Sequence, residues 1–193
     1  AVWRARPKAE LKQCLDLFTT LLAAVDEAHQ RGMPHGKLSL SNIRVSSEGL
    51  PRVLDFGVAL ACSGQSEDST DGSQPYLAPE RGAGGVCTTQ ADVYSLGVIL
   101  FELLAGERPG SGDSEHQARP SRIIPAVAPR VEAIVLKALE TEPEARFRDA
   151  GELRTALLEC RESANGPSGG TKGTVEFLLR RMQRQSDFPV LSE

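Results

Sequence analysis

His35-Gly36-Lys37-Leu38-Ser39-Leu40-Ser41-Asn42, followed by Asp55-Phe56-Gly57 and then Ala78-Pro79-Glu80, decides how this chain is read. Ile43 to Val45 and Arg52 to Leu54 are short runs of β type, and Ser46-Ser47-Glu48-Gly49 between them supplies turn chemistry. The pattern predicts a hairpin. Asn42 and Asp55 stand at its two open ends, so closing it brings an amide oxygen and a carboxylate together. Both are hard oxygen donors of the kind Mg²⁺ prefers.

Working outward, residues 10 to 31 carry Leu11, Cys14, Leu15, Phe18, Leu21, Leu22, Val25 and His29 at three- and four-residue intervals, which predicts one amphipathic helix stopped by Gly32. Residues 59 to 75 are rich in Ser, Gly and Asp, with little to bury. Thr88 or Thr89 can cap a helix running to about Leu104. That helix is apolar on nearly all sides, so it belongs at the centre of a core. Gly106 and Pro109 end it, and residues 107 to 127 read as irregular. Pro129 to Leu139 forms a further helix with Val131, Ile134, Val135 and Ala138 inward. Asp149 and Glu152 imitate a capping box before a last helix from Gly151 to about Glu162. The whole is a mostly helical domain with one small hairpin.

Composition sets limits on function. The 193 residues include 40% hydrophobic and 25% charged side chains and carry a net charge of -4, as expected of an ordinary globular domain. Mild acidity points to no nucleic acid and no anionic membrane as partner. The most apolar stretch, Gly97 to Ala105, contains Glu102 and is too short to span a bilayer. No signal peptide is visible, so a cytoplasmic location is expected. Ala1 and Glu193 look like cut ends, and a longer parent protein is expected. Cys14, Cys62, Cys87 and Cys160 form no C-x-x-C pair and have no metal-ligand spacing, which favours reduced, incidental thiols.

The three polar clusters, in order, resemble the catalytic loop, the magnesium loop and the end of the activation segment of protein kinases. Asp92-Val93-Tyr94-Ser95-Leu96-Gly97 is similar to the start of that family's buried central helix, in a wording closest to bacterial serine/threonine kinases. Pro143-Glu144-Ala145-Arg146-Phe147 is similar to its late arginine motif. Each piece alone is weak, but five in the right order give a strong signal for the fold. The resemblance runs over about residues 10 to 160. It implies a mainly α chain of the α+β family: a protein-kinase C-terminal lobe with a small β-hairpin over residues 1–162, its N-terminal lobe absent from this chain. Only nine residues precede the first predicted helix, too few for a glycine-rich loop and a nucleotide-contacting lysine.

The resemblance also implies roles. Asn42 and Asp55 would hold Mg²⁺ and, through it, ATP in the full-length protein, with neither expected on this fragment alone. His35 and Phe56 would belong to the hydrophobic stack that joins the two lobes, with Gly57 closing the magnesium loop. Asp92 would hold the backbone of the His35 loop, and Glu80 with Arg146 would form a partly buried scaffold ion pair.

Three residues depart from the family pattern. Lys37 occupies the place of the catalytic aspartate. An ammonium group with an unperturbed pKa of about 10.4 cannot accept a hydroxyl proton as a carboxylate does, and it repels Mg²⁺. Ser39 stands where a phosphate-contacting lysine is usual, so no intact catalytic set is expected. Gly36 replaces an arginine that commonly couples to a phosphorylated activation loop, which makes Ser63, Ser66, Ser69, Thr70 and Ser73 weak candidates for switch sites.

Residues 163–173 are Gly/Ser/Pro-rich and read as a linker. After it, Val175-Glu176-Phe177-Leu178-Leu179-Arg180-Arg181-Met182 with Ser186-Asp187-Phe188-Pro189 resembles the opening of a bacterial HDOD domain, truncated at 174–193. Three functions are expected to compete: a signalling pseudokinase that binds a protein partner, with or without Mg-ATP, an active serine/threonine kinase acting on protein hydroxyls, and an interaction module with no nucleotide site.

Overall fold

The computed structural model describes residues 8–46, 48–56, 74–82, 84–109 and 129–162. Gly57, Cys62, the serines and threonine between 63 and 73, the linker 163–173 and the proposed domain start at 174–193 lie outside the described residues.

Helix α1 spans Lys8–His29. It begins and ends about two residues before the expected limits of 10 and 31. The end is set by the chain's own turn: Gly32 takes φ +70°, and the Met33 N–H returns to the Ala28 carbonyl at 3.0 Å. A left-handed residue just past a helix is glycine's usual place, because it has no Cβ to clash. One face of α1 buries Cys14, Leu15, Phe18, Leu21, Leu22, Val25 and Ala28.

A 3₁₀ turn, Leu40–Asn42, leads into the hairpin, β1 Ile43–Val45 and β2 Pro51–Val53. The strands are antiparallel, with Ile43 opposite Val53, Arg44 opposite Arg52 and Val45 opposite Pro51. The second strand starts one residue earlier than the expected Arg52 to Leu54. Proline lacks the N–H for a ladder bond but is tolerated as the first residue of a strand. The turn closes through Ser46 N–H to Leu50 O at 2.9 Å, with Gly49 at φ +82°.

A short helix α2, Pro79–Gly82, precedes α3, Thr89–Ala105. Thr88 caps α3 by accepting the Ala91 N–H at 3.1 Å. Gly106, at φ +83°, ends it by donating to Glu102 O. From Ala91 to Ala105 every residue except Tyr94 is buried, so α3 is the central rod of the core. Helix α4, Pro129–Ala138, turns Val131, Ile134, Val135 and Ala138 onto it. Their approach is close at Gly97, where an added Cβ would lie 2.9 Å from the Ala138 Cβ. Helix α5, Ala150–Glu162, packs along α1 through buried Leu153 and Leu157. Its start resembles a capping box displaced by one residue. The Glu152 N–H donates to Asp149 Oδ1 at 2.9 Å, but the Glu152 carboxylate reaches the Arg148 N–H at 2.7 Å, not that of Asp149.

The described part is thus mostly helical with one two-stranded sheet. No helix among the described residues is long and apolar enough to cross a membrane.

Candidate functional site

The loop between α1 and β1 is built on a carboxylate from another element. Asp92 lies in the first turn of α3 and is fully buried. Its Oδ2 accepts the His35 backbone N–H and its Oδ1 accepts that of Gly36 at 2.7 Å. A buried charge is tolerable only when hydrogen-bonded in this way. A third donor is His29, at the end of α1, whose Nε2 lies 3.0 Å from Asp92 Oδ2. The other ring nitrogen, Nδ1, accepts the Ala150 N–H at 3.2 Å. Since Nδ1 must be an acceptor there, the proton is on Nε2, and the neutral ring donates to Asp92. The start of α5, the end of α1, the start of α3 and the loop at residues 35–36 are tied together through these two side chains. Sequence reasoning placed His29 only in the apolar stripe; its polar neighbours come from residues 63 and 121 positions away.

Gly36 takes φ +79°. Its lack of a side chain suits a turn that aims two consecutive N–H groups at one carboxylate.

The His35 ring is buried and donates from Nε2 to Leu54 O at 2.7 Å, while Nδ1 accepts the Lys37 N–H at 3.2 Å. Phe56 meets the ring edge-on, with centroids 4.7 Å apart and planes at 61°. This aromatic arrangement is favourable, and it couples the 35–37 loop to the end of β2. Phe56 itself is 37% exposed.

Asn42 and Leu54 meet as the hairpin closes. Leu54 N–H donates to Asn42 O at 2.8 Å, so Asp55 is one residue beyond the backbone partner of Asn42. The Asn42 side-chain amide donates from Nδ2 to Lys37 O at 2.9 Å, which leaves its Oδ1 as the atom to offer a cation. Asp55 is exposed and takes φ +62°, a left-handed backbone for a non-glycine residue. Such strain persists where surroundings impose it, and it concentrates at functional sites. Lys37 is half-buried. Ser39 is buried, with its Oγ 2.6 Å from the Ser41 Oγ. The donor set can be tested against magnesium. Mg²⁺ typically takes one or two protein carboxylates and completes its shell with water and phosphate. One amide oxygen and one exposed carboxylate fit that requirement. No group of three or more His, Cys, Asp or Glu side chains gathers elsewhere among the described residues to hold a metal.

Glu80 and Arg146 meet outside this loop. The guanidinium makes two bonds to the carboxylate, at 2.7 and 2.8 Å, and donates to the carbonyls of Glu140, Thr141 and Gln90. Its Cζ lies 5.0 Å from the Tyr94 ring centroid. Burial acts to raise the Glu80 carboxyl. The Arg146 hydrogen bond, a bond to its own backbone and the charges of Arg146 and Arg81 outweigh that and hold it below its ordinary value. A second polar link escaped the sequence: Tyr76 donates from its hydroxyl to buried Glu102 at 2.7 Å, and Ser95 Oγ donates to the Tyr76 carbonyl at 2.8 Å. Glu102 was visible only as a charge within an apolar run.

Comparison with known proteins agrees with this scaffold. The protein kinase domain family matches residues 3–160. The serine/threonine-protein kinase PknB of Mycolicibacterium smegmatis is 35% identical over 166 residues, covering 78% of this chain and 27% of that protein. The probable serine/threonine-protein kinase PknB of Lactococcus lactis is 37% identical over 156 residues, covering 74% of this chain and 25% of that protein. Among solved structures, the PknI kinase domain of Mycobacterium tuberculosis superposes with a TM-score of 0.59 at 31% identity, covering 77% of this chain and 55% of that one. The chain therefore belongs to the protein kinase domain family, and its relatives include bacterial serine/threonine kinases. It spans about a quarter of the length of the curated relatives it matches.

Proposed function

We propose that this chain is the C-terminal lobe of a signalling pseudokinase: it binds a protein partner, retains a place for Mg-ATP, and transfers no phosphate. One observation carries the reading. The loop in which the Lys37 carbonyl accepts the Asn42 amide carries lysine at the position where the family resemblance puts the carboxylate that orients the acceptor hydroxyl. Absence of a positioned base costs about 10²–10⁴ in rate, and lysine in place of a carboxylate adds a positive charge to a loop that must accept a cation.

In this proposal Asn42 Oδ1 and the Asp55 carboxylate would hold Mg²⁺, which when bound would neutralise charge on the nucleotide phosphates. The remaining residues keep the scaffold. Asp92 holds the loop backbone, His35 and Phe56 form the base of the inter-lobe stack, and Glu80 with Arg146 braces the segment before α3. These are the features that let a kinase fold outlive its chemistry. Residues 1–162 form the kinase-like unit, 163–173 a linker, and 174–193 the opening of an HDOD domain on the strength of its residue wording.

The test is transfer of radiolabelled γ-phosphate from Mg-ATP to a protein substrate by the full-length protein, beside a Lys37→Asp variant. Background-level transfer by the wild type is expected. Robust wild-type transfer overturns the proposal in favour of an active serine/threonine kinase, for which the retained Asn42 and Asp55 are the supporting observation. A thermal-shift titration with Mg-ATP decides the nucleotide part. Stabilisation that grows as RT ln(1 + [L]/Kd) is expected, and a flat response leaves a pure interaction module.

A further inference from the structure

One run of hydrogen bonds crosses the core from α5 to the loop before β1. It starts at Ala150, the first residue of α5, whose N–H donates to His29 Nδ1 at 3.2 Å. The other ring nitrogen donates to Asp92 Oδ2 at 3.0 Å, and that same oxygen accepts the His35 N–H. The His35 ring accepts the Lys37 N–H through Nδ1 at 3.2 Å, and the Lys37 carbonyl accepts the Asn42 side-chain amide at 2.9 Å. Ala150, His29, Asp92 and His35 are all buried, so a partner lost here is not replaced by bulk water. A neutral imidazole has one donor and one acceptor. While Ala150 donates to Nδ1, the proton must sit on Nε2, facing Asp92. Hydrogen bonds linked in series in a low-dielectric interior strengthen one another.

We infer that the first N–H of α5 is a remote control of the loop at residues 35–37 and, through it, of the Asn42 amide. With that N–H withdrawn, Nδ1 no longer has to be the acceptor, and the His29 ring can turn or change tautomer. Asp92 Oδ2 then keeps only the His35 N–H of this pair of donors. The carboxylate holds the loop backbone less firmly, and the Lys37 carbonyl, which fixes which way the Asn42 amide points, moves with it. His29 is thus a positioning residue that acts through Asp92. A helix moves as one body, so a load anywhere on α5 reaches its first residue. α5 is the last described helix, and the chain continues past it through residues 163–193. The coupling holds whether or not the protein transfers phosphate.

Ala150→Pro tests the link, because proline deletes one N–H and is favoured at the first position of a helix. The extended backbone usual for an N-cap, the place of Asp149, is also what a following proline requires. Ala150→Ser keeps the N–H and is the control. The readout is hydrogen exchange by mass spectrometry on the full-length protein, over peptides spanning 34–38 and, as reference, 93–104 in α3. Exchange over 34–38 is expected to rise about fivefold in Ala150→Pro relative to Ala150→Ser, the size of one hydrogen bond, with the reference unchanged. No rise at 34–38, or an equal rise in both segments, overturns the inference. Variants at the ring form an independent arm. Glutamine can accept from Ala150 with its oxygen while donating to Asp92 with its amide, and leucine can do neither. His29→Gln should keep exchange over 34–38 slow, and His29→Leu should not. Equal exchange in the two would show that only the bulk of the ring matters and overturns the inference. In the His29→Leu background Ala150→Pro should add nothing at 34–38, since no acceptor is left for its N–H. An undiminished effect of proline there overturns the inference as well.

Discussion

His29 donates to Asp92 across 3.0 Å while its other ring nitrogen accepts from Ala150. One neutral imidazole therefore satisfies a buried carboxylate and a buried N–H that come from different helices. Removing the ring leaves both unsatisfied, and each such loss costs about 1–3 kcal/mol. His29→Ala should destabilise the chain by about 2–5 kcal/mol in urea denaturation, summing the two losses and allowing for water entering the gap. Asp92→Ala should cost at least as much, because it orphans the N–H groups of His35 and Gly36 together with His29. A double variant should lose less than the sum of the two, since they share one bond. Strict additivity would show that the link carries no energy.

Arg146 is 4% exposed and spends every donor on Glu80 or on backbone carbonyls. Arg146→Ala strands the Glu80 carboxylate and three carbonyls, and loss of one partner from a buried pair costs about 3–5 kcal/mol. The pH dependence has a definite sign. A carboxyl held low in the folded chain contributes stability above its unfolded value, and that contribution disappears as pH falls through the folded value. The advantage of wild type over Glu80→Gln should be full at neutral pH, begin to shrink just below the unfolded value of 4.5, and vanish at lower pH. Melting curves of the two proteins between neutral and acid pH check this. A gap that widens on acidification would refute it.

Gly97 marks a close approach of α3 and α4. A Cβ there would meet Ala138 Cβ at 2.9 Å, Leu139 Cδ2 at 3.2 Å and the Ala138 carbonyl carbon at 3.3 Å. Backbone and Cβ atoms cannot rotate away, so the helices must separate. Gly97→Ala should cost about 1–3 kcal/mol by overpacking, although alanine is the better helix former by about 1 kcal/mol. A Gly97→Ala/Ala138→Gly double variant should recover part of the loss, as read by midpoint shifts in denaturation.

The helices were legible because burial is periodic. The inward set of α4 and the all-round apolar α3 could be read directly from spacing, and Thr88, Gly32 and Gly106 punctuated the ends. Boundaries moved by one or two residues where local hydrogen bonds decided, as at Pro51 and His29. The hairpin's closure, and with it the backbone bond between Leu54 and Asn42, followed from turn chemistry alone. What spacing could not show were links between distant segments. His29 belongs to an apolar stripe by position and to a polar chain by contact, and Tyr76 meets Glu102 across 26 positions. Nothing local in the sequence marks either pair.

Gly36 offers a test of why the loop tolerates its unusual sequence. The residue holds φ +79° while its N–H points at Asp92. A residue with a Cβ in that conformation costs about 1–2 kcal/mol, and asparagine, which visits the left-handed region readily, costs less. Gly36→Ala should therefore destabilise the chain by about 1 kcal/mol, and Gly36→Asn by less. Gly36→Arg, which restores the family's usual side chain, should destabilise as alanine does and yield no phosphate transfer. On the pseudokinase reading, an arginine at position 36 does not supply the carboxylate that Lys37 replaces. Paired with Lys37→Asp, the same variant separates two possible deficits. Transfer gained only with aspartate at 37 places the defect in the missing carboxylate, whereas transfer gained from Gly36→Arg alone would place it in the loop's lost arginine.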